Sequence, residues 1–152
     1  MKVKKLANGI SYVFEKRKTD AVAVEVQIHV GSNDETPKQA GLTHLIEHMI
    51  FEGTKARSAQ DIANTIESVG GEFNAVTTQE RTFYYVYIPK QYLPRALEIL
   101  ADMVQNSVFN EATLKKEKNV VINEIEMTDD DPKSYQWIVL LKTLFKKNKA
   151  KN

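Results

Sequence analysis

Residues 41–51 read GLTHLIEHMIF and contain His44, Glu47 and His48 in the order H-x-x-E-H. In an α-helix, residues four positions apart lie one turn apart on the same face, so both imidazoles can bind one metal ion. Glu47 stands next to His48 and reaches the rim of that face. The stretch therefore predicts a helix that carries a metal site with a carboxylate beside it.

Most of the other side chains on this helix are apolar, which predicts that the helix is almost wholly buried. Ionisable groups in such a setting are rare unless they are paired or bind a metal. The alternative is a surface cluster, or a hydrogen-bonded pair of histidines in the core. H-x-x-E-H is the inverse order of the H-E-x-x-H helix of metalloproteases. A catalytic zinc site of that kind needs a third protein ligand, for which a carboxylate is a common choice.

The composition is that of an ordinary globular domain, with 152 residues, 42% hydrophobic and 27% charged. One core is expected at this length. The chain has no cysteine, so a metal would rest on His, Asp or Glu. A net charge of +1 argues against nucleic-acid binding, and no apolar run is long enough for a membrane span. We expect a soluble, cytoplasmic protein whose lysine-rich end, residues 142–152, is a solvated tail.

The first part of the chain predicts strands before the motif helix. Asn8-Gly9 separates two short strand-like runs, residues 3–6 and 10–15, which indicates a β-hairpin with a type I′ turn. Residues 21–30 alternate between valine or isoleucine and smaller or polar residues, as in a strand with one buried face. His29 falls on the polar face, where a surface or hydrogen-bonding role is expected. Residues 31–39 form a polar loop, and Gly53 is expected to cap the motif helix in a left-handed conformation.

The second part predicts a helix, a β-hairpin and then three helices. Ser58 and Asp61 have the spacing of a capping box for the second helix, which Gly70-Gly71 ends. Two strands follow, joined by a tight turn, and the remaining apolar residues recur at helical spacing. The final helix has an apolar side that needs a partner surface, in part outside this chain. The expected ranges are strands 72–77 and 82–88 and helices 93–104, 110–127 and 135–145.

Two glutamates on the helix that Asn110 begins are candidates for the third ligand. Glu117 and Glu124 are seven residues apart, or about two turns, so they share a face. For Glu117, an exposed position among lysines is the alternative. Glu124 has apolar neighbours, including Val121 and Ile125, and a buried carboxylate requires a cation.

The motifs of this chain resemble those of a known family. The chain is similar to the N-terminal domain of the pitrilysin/insulysin type of zinc peptidases, which includes mitochondrial processing peptidase and bacterial processing-protease homologues. The zinc motif is the most specific part, and the other segments occur in the expected order and at sensible spacing. The segments are NGI (8–10), GSNDE (31–35), GLTHLIEHMIFEGT (41–54), IESVGGEFNAVTTQERTFYY (66–85) and EKNVVINEIEMTDDDP (117–132).

The resemblance implies a fold and a set of roles. The fold is α+β, with an antiparallel or mixed sheet and helices packed on one face. Zinc is expected on His44, His48 and Glu124, with Glu47 as the catalytic base. Glu117 matches a family glutamate that supports the catalytic site. Residues 73–77 correspond to the edge strand on which an extended substrate peptide is laid, with Phe73, Asn74, Ala75 and Val76 as the substrate-binding residues.

These roles predict a zinc endopeptidase that acts on extended or unfolded peptides. One alternative is a non-catalytic scaffold or partner-binding subunit of the same fold, and another is a structural domain that a metal stabilises. Residues 1–152 are expected to form a single domain that is shorter than the family's first domain. We therefore also expect a second homologous domain or subunit, or a homodimer, without which activity would be incomplete.

Overall fold

The computed structural model describes residues 2–145, so most of the predicted tail, residues 142–152, lies outside the described residues. The fold is α+β, as the resemblance implies. Its centre is a three-stranded antiparallel sheet with the strand order β3-β5-β4, and a separate hairpin of β1 and β2 precedes it. The strands are β1 (Val3–Lys5), β2 (Ser11–Val13), β3 (Ala21–Ile28), β4 (Glu72–Thr77) and β5 (Thr82–Pro89), and the helices are α1 (Leu42–Phe51), α2 (Ala59–Glu67), α3 (Leu93–Asn106), α4 (Glu111–Asp130) and α5 (Pro132–Leu144).

The hydrophobic core lies between one face of this sheet and the helices α1, α2 and α3. The predicted alternation of β3 is confirmed, since its valines pack against the core while Ala23 and Glu25 are exposed. The strand ends at Ile28 rather than at residue 30, and His29 is exposed as expected. The buried core residues include Ile62 and Ile66 of α2, Tyr84, Val86 and Ile88 of β5, and Ala96, Ile99, Leu100 and Met103 of α3.

The turn of the N-terminal hairpin differs from the predicted type I′ turn. Within residues 2–145 only glycines have positive φ, so Asn8 lacks the conformation that type I′ requires, and Gly9 alone has it, with φ of 92°. Gly9 N–H donates to the Leu6 carbonyl, and Leu6 N–H donates to that of Ile10. This is a three-residue loop in which a single glycine in the left-handed region closes the hairpin.

Helix α1 is less buried than its apolar sequence predicts. Met49 and Ile50 are buried in the core, but Leu42 is 41% exposed and Ile46 is 39% exposed. The prediction of an almost wholly buried helix is wrong because α1 packs against the sheet along one side and meets α4 along another, which leaves a third side open. Gly53, just after the helix, has φ of 125°, which is positive but wider than the left-handed helical value.

Helices α4 and α5 lie outside the sheet-and-helix core. Helix α4 packs against α1, and α5 packs against α4. The break between them is shorter than predicted, because the side chain of Asp131 accepts hydrogen bonds from the backbone of Lys133 and Ser134 and Pro132 opens the next helix. Every residue of α5 is half-buried or exposed, and Trp137 is 60% exposed. None of the helices within residues 2–145 is both long and apolar enough to cross a membrane.

Candidate metal centre

Helices α1 and α4 bring three ligand atoms together at their contact. The Nε2 atoms of His44 and His48 are 3.3 Å apart. Oε2 of Glu124, from α4, lies 3.5 Å from each of these two nitrogens. The two histidines meet because they are one helical turn apart, whereas Glu124 reaches them only because α4 packs against α1.

These separations fit a zinc ion. Three atoms at 3.3–3.5 Å from one another can all lie about 2.0–2.1 Å from a single ion, which is the distance of Zn–N and Zn–O bonds in proteins. The same separations equal the edge of a tetrahedron of that size, so a fourth vertex is left for a non-protein ligand. Two imidazoles and a carboxylate are a donor set of catalytic zinc sites. His44, His48 and Glu124 could therefore hold the metal.

Glu117 is outside the ligand cluster and hydrogen-bonds to the ring of His48. Its Oε2 atom is 3.1 Å from His48 Nδ1, and its Oε1 atom is 3.1 Å from Lys116 Nζ. With His48 donating Nδ1–H to Glu117, the lone pair of Nε2 points to the cluster. Burial raises the pKa of Glu117, but hydrogen bonds from Lys116 and His48 lower it by more, so the net pKa is below its usual value. The anionic carboxylate is thus the form present at neutral pH.

The burial of Glu124 differs from the pattern that the sequence indicates, whereas the burial of Glu117 agrees with its expected role at the site. Glu117, for which an exposed position among lysines was the alternative, is 6% exposed. The side chain of Glu124, expected among buried apolar neighbours, is 46% exposed. Val121 is the apolar neighbour that is buried, while Ile125 points outward. Helix α4 faces α1 along the line of Glu117 and Val121, and Glu124 lies near the end of that line, where the contact opens to solvent.

Glu47 lies on the side of α1 that faces the sheet. Its Oε2 atom accepts a hydrogen bond from the Thr77 hydroxyl at the end of β4. Tyr84 of β5 is buried beneath it, and this burial, with the charge of Glu47, raises the pKa of the Tyr84 phenol. Two clefts of about 550 and 420 Å³ both include Glu47, one shared with His44 and the other with His48. The carboxylate is therefore open to a molecule that approaches the ligand cluster.

Strand β4 forms an edge of the sheet and runs past Glu47. Asn74, Ala75 and Val76 pair with β5 on one side only. The N–H of Ala75 donates to the side chain of its neighbour Asn74 at 2.8 Å, while Ala75 and Val76 line the cleft that contains His44 and Glu47. Phe73 packs against Phe51 of α1. The structure thus brings the four expected strand residues and the histidine motif to the same side of the domain.

The sequence analysis did not identify Glu35, the residue that caps the motif helix. Gly41, the N-cap, has no side chain to satisfy the first backbone N–H groups of α1. Glu35 does so from the preceding loop, because its carboxylate accepts from Gly41 N at 2.8 Å and from Thr43 N at 2.6 Å. An acidic residue shortly before a helix that starts with glycine is the available signal, since negative charge stabilises a helix N-terminus.

The fold and this site define a class of protein. Two imidazoles and a carboxylate converge at one point, another carboxylate lies beside them, and an open strand edge passes by, as in a zinc metallopeptidase domain. The model of the family described as Insulinase (Peptidase family M16) matches residues 12–152. The chain belongs to this family, which confirms the resemblance based on its motifs.

Several known proteins are similar to this chain. The uncharacterized zinc protease YmxG of Bacillus subtilis is 45% identical over 126 residues, which are 82% of this chain and 31% of that protein. The beta subunit of the mitochondrial-processing peptidase of Rattus norvegicus is 40% identical over 121 residues, 80% of this chain and 25% of that subunit. The crystal structure of a protease from Helicobacter pylori matches 93% of this chain and 34% of its own, with a TM-score of 0.87 and 27% identity.

The chain thus spans about a third or less of the length of these relatives. The family match over residues 12–152 includes the α1 motif, the central sheet and the α4 helix. The family and the names of its members support a zinc metallopeptidase.

Proposed function

We propose that this chain is the metal-binding domain of a zinc-dependent endopeptidase that hydrolyses peptide bonds in extended or unfolded peptides. The observation that carries the proposal is the meeting of His44, His48 and Glu124 within 3.5 Å of one another next to Glu47. Membership of the M16 family supports the same reaction class.

The residues have separate tasks in this proposal. His44, His48 and Glu124 would hold the zinc ion, which would supply a Lewis acid for a water molecule and for the scissile carbonyl. Glu47 takes the proton from the attacking water and passes it to the leaving amine. Glu117 keeps the Nε2 lone pair of His48 directed at the cluster, so it is a positioning residue rather than a group that touches substrate.

The edge of β4 provides a surface for the substrate. An extended peptide can add to an open edge through main-chain hydrogen bonds, whatever its sequence, while pockets for alternate side chains set preference. Ala75 and Val76 line the cleft beside Glu47, so a peptide along this edge would pass the base. The side chain of Asn74 accepts a hydrogen bond from the N–H of Ala75. When a peptide binds, this N–H would donate to the peptide instead. We assign Phe73 to the support of this strand, since it packs on Phe51.

A second homologous domain or subunit, or a second copy of the chain, completes the proposal for the whole protein. The relatives are about three times as long or more, and Trp137 and Leu144 on α5 are 60% and 65% exposed. Apolar groups of that size are suited to contact with another protein surface. Size-exclusion chromatography with light scattering tests the homodimer, and a single mass equal to one chain would exclude it.

The central test compares wild-type protein with Glu47→Gln. Zinc content is measured by plasma mass spectrometry, and cleavage is followed on unstructured fluorogenic peptides. We expect one zinc per chain in both proteins and a loss of cleavage of at least about 100-fold in the variant, which is the contribution of a general base. Glu126→Gln, an exposed glutamate on α4, is the matched control and should cleave like wild type.

Other outcomes have distinct meanings. Equal cleavage by wild type and Glu47→Gln would remove Glu47 as the base. Zinc binding without cleavage in either protein would favour a structural or partner-binding domain.

Glu117→Gln is expected to weaken zinc binding about 10–100-fold, as removal of a residue behind a ligand does. An unchanged zinc affinity would show that the His48–Glu117 hydrogen bond has no such role.

A further inference from the structure

The hydroxyl of Thr77 is the hydrogen-bond partner of Glu47 from the sheet. Thr77 is the last residue of β4, and its Oγ1–H donates to Oε2 of Glu47 on α1. Both residues are half-buried, and both line the cleft shared with His44. A hydrogen bond to Oε2 restricts the rotation of the carboxylate and leaves the other oxygen, Oε1, able to accept a proton.

The backbone around Thr77 is held from three sides. Thr77 pairs with Thr82 across the sheet, and Thr78 N–H donates to the Arg81 carbonyl at 2.8 Å in the turn that follows. The loop after β3 packs on the same turn, because Ser32 N–H donates to the Thr78 carbonyl at 3.1 Å. A Cβ at Gly31 would lie 2.4 Å from that oxygen, so only glycine allows this approach.

The side chain of Thr77 adds its own restriction. A β-branched residue in a strand has limited χ1 freedom, so a fixed backbone also fixes the direction of its hydroxyl. The strand that would hydrogen-bond the substrate peptide thus ends in a rigid donor aimed at the proposed base. A base must lie within hydrogen-bond reach of the proton that it takes, and small displacements are costly for the rate.

We propose that Thr77 is a positioning residue that holds Oε2 of Glu47 and leaves Oε1 to accept the proton. The inference rests on the proposed function of Glu47 as base. It assigns the shared hydrogen bond between β4 and α1 the task of aligning the base with a peptide on the strand edge. The bond includes none of His44, His48 and Glu124, so we expect zinc binding to be unaffected by its loss.

The test uses the zinc-loaded full chain. If activity requires the proposed second domain or subunit, that part is included. Thr77→Val removes the hydroxyl at nearly constant shape, and Thr77→Ser keeps the hydroxyl. We expect Thr77→Val to lower kcat by about 10–100-fold, as a misplaced catalytic group does, with KM within about twofold and zinc affinity unchanged. Thr77→Ser should recover most of kcat. Thr65→Val, which removes an exposed hydroxyl on α2, is the matched control and should behave like wild type.

A binding experiment gives a readout that is independent of turnover. A peptide hydroxamate presents a metal-chelating group whose hydroxyl hydrogen-bonds to a neighbouring carboxylate, so its affinity should reflect the orientation of Glu47. Calorimetry is expected to show affinity about 10-fold weaker for Thr77→Val and unchanged for Thr77→Ser and Thr65→Val, at full zinc occupancy. In the background of Glu47→Gln, Thr77→Val should produce no further loss in kcat or in hydroxamate affinity, because its effect passes through Glu47.

The outcomes separate this inference from the proposal on which it rests. Unchanged kcat and hydroxamate affinity in Thr77→Val would overturn the role of Thr77 while Glu47→Gln remained inactive. Loss of zinc or of the folded state in Thr77→Val, measured by zinc content and circular dichroism, would show a structural role instead. A further loss in the Glu47→Gln background would have the same meaning. Cleavage by Glu47→Gln at the wild-type rate would refute the proposed base itself.

Discussion

Helices α1 and α4 both contribute to the candidate metal centre, but the rest of the domain holds them very differently. Helix α1 buries Met49 and Ile50 in the core, and Glu35 caps its first turn. Helix α4 buries only Glu117 and Val121 of its 20 residues. Two ligands thus come from a well-anchored element and the third from a helix attached along one narrow line. A metal bound between them would act as a cross-link and stabilise the weaker side.

The largest effect is expected from zinc itself. A ligand at a thousandfold excess over its Kd adds about 4 kcal/mol to the free energy of unfolding. Because α4 is the weakly held side, its amides near Glu124 should gain the most protection from hydrogen exchange, measured by mass spectrometry with and without zinc. The amides of the β1–β2 hairpin, which forms a sheet separate from the central one and can open without release of the metal, serve as the internal control. Equal gains in this hairpin and in α4 would contradict the contrast.

A pair of truncations compares the two regions directly. Ile66 on α2 is 0% exposed in the core, whereas Ile125 on α4 is 48% exposed. Ile66→Ala should lower the free energy of unfolding by about 3 kcal/mol, within the range for buried isoleucine. Ile125→Ala should change it by less than about 0.5 kcal/mol. Urea denaturation of the metal-free proteins measures both values. Similar losses at the two positions would show that α4 is packed as firmly as the core.

A smaller effect should appear in acid, through a network that joins the loop after α1 to α3. Asp102 accepts from Thr54 at 2.8 Å and from Arg57. Burial raises the pKa of Asp102, but the hydrogen bonds from Thr54, Asn106 and Arg57 lower it by more, so the net pKa lies below the usual 3.8. A carboxyl with a depressed pKa in the folded state contributes stability above its unfolded pKa. That contribution is lost as pH falls through the folded value.

Asp102→Asn should therefore be less stable than wild type at pH 7 by about 1 kcal/mol, the typical contribution of a hydrogen bond. The difference should shrink as the pH falls below the unfolded pKa of about 3.9 towards the lower pKa of the folded carboxyl. Thermal denaturation at a series of pH values between 3 and 7 measures it. Asp129→Asn, at an exposed end of α4, is the control. A difference that stays constant across this pH range would mean that the charge of Asp102 does not contribute.

The elements of the fold were largely predictable because their signals are local. The capping box of Ser58 and Asp61 and the alternation of β3 depend on neighbours a few residues away, and both are confirmed. The predicted type of the turn at Gly9 was wrong because a three-residue loop needs only one glycine with positive φ. The burial of α1 was overestimated because an apolar sequence does not show how many sides of a helix meet other elements.

The sequence by itself determined that His44 and His48 share a face, since the helical repeat places them one turn apart, and its motifs already indicated the family. Only the tertiary structure decided that Oε2 of Glu124 lies 3.5 Å from both imidazoles, that Glu117 is the buried glutamate, and that Thr77 reaches Glu47. These contacts join residues from 30 to 80 positions apart in the chain. They depend on how α4 and β4 pack against α1, which no local pattern specifies.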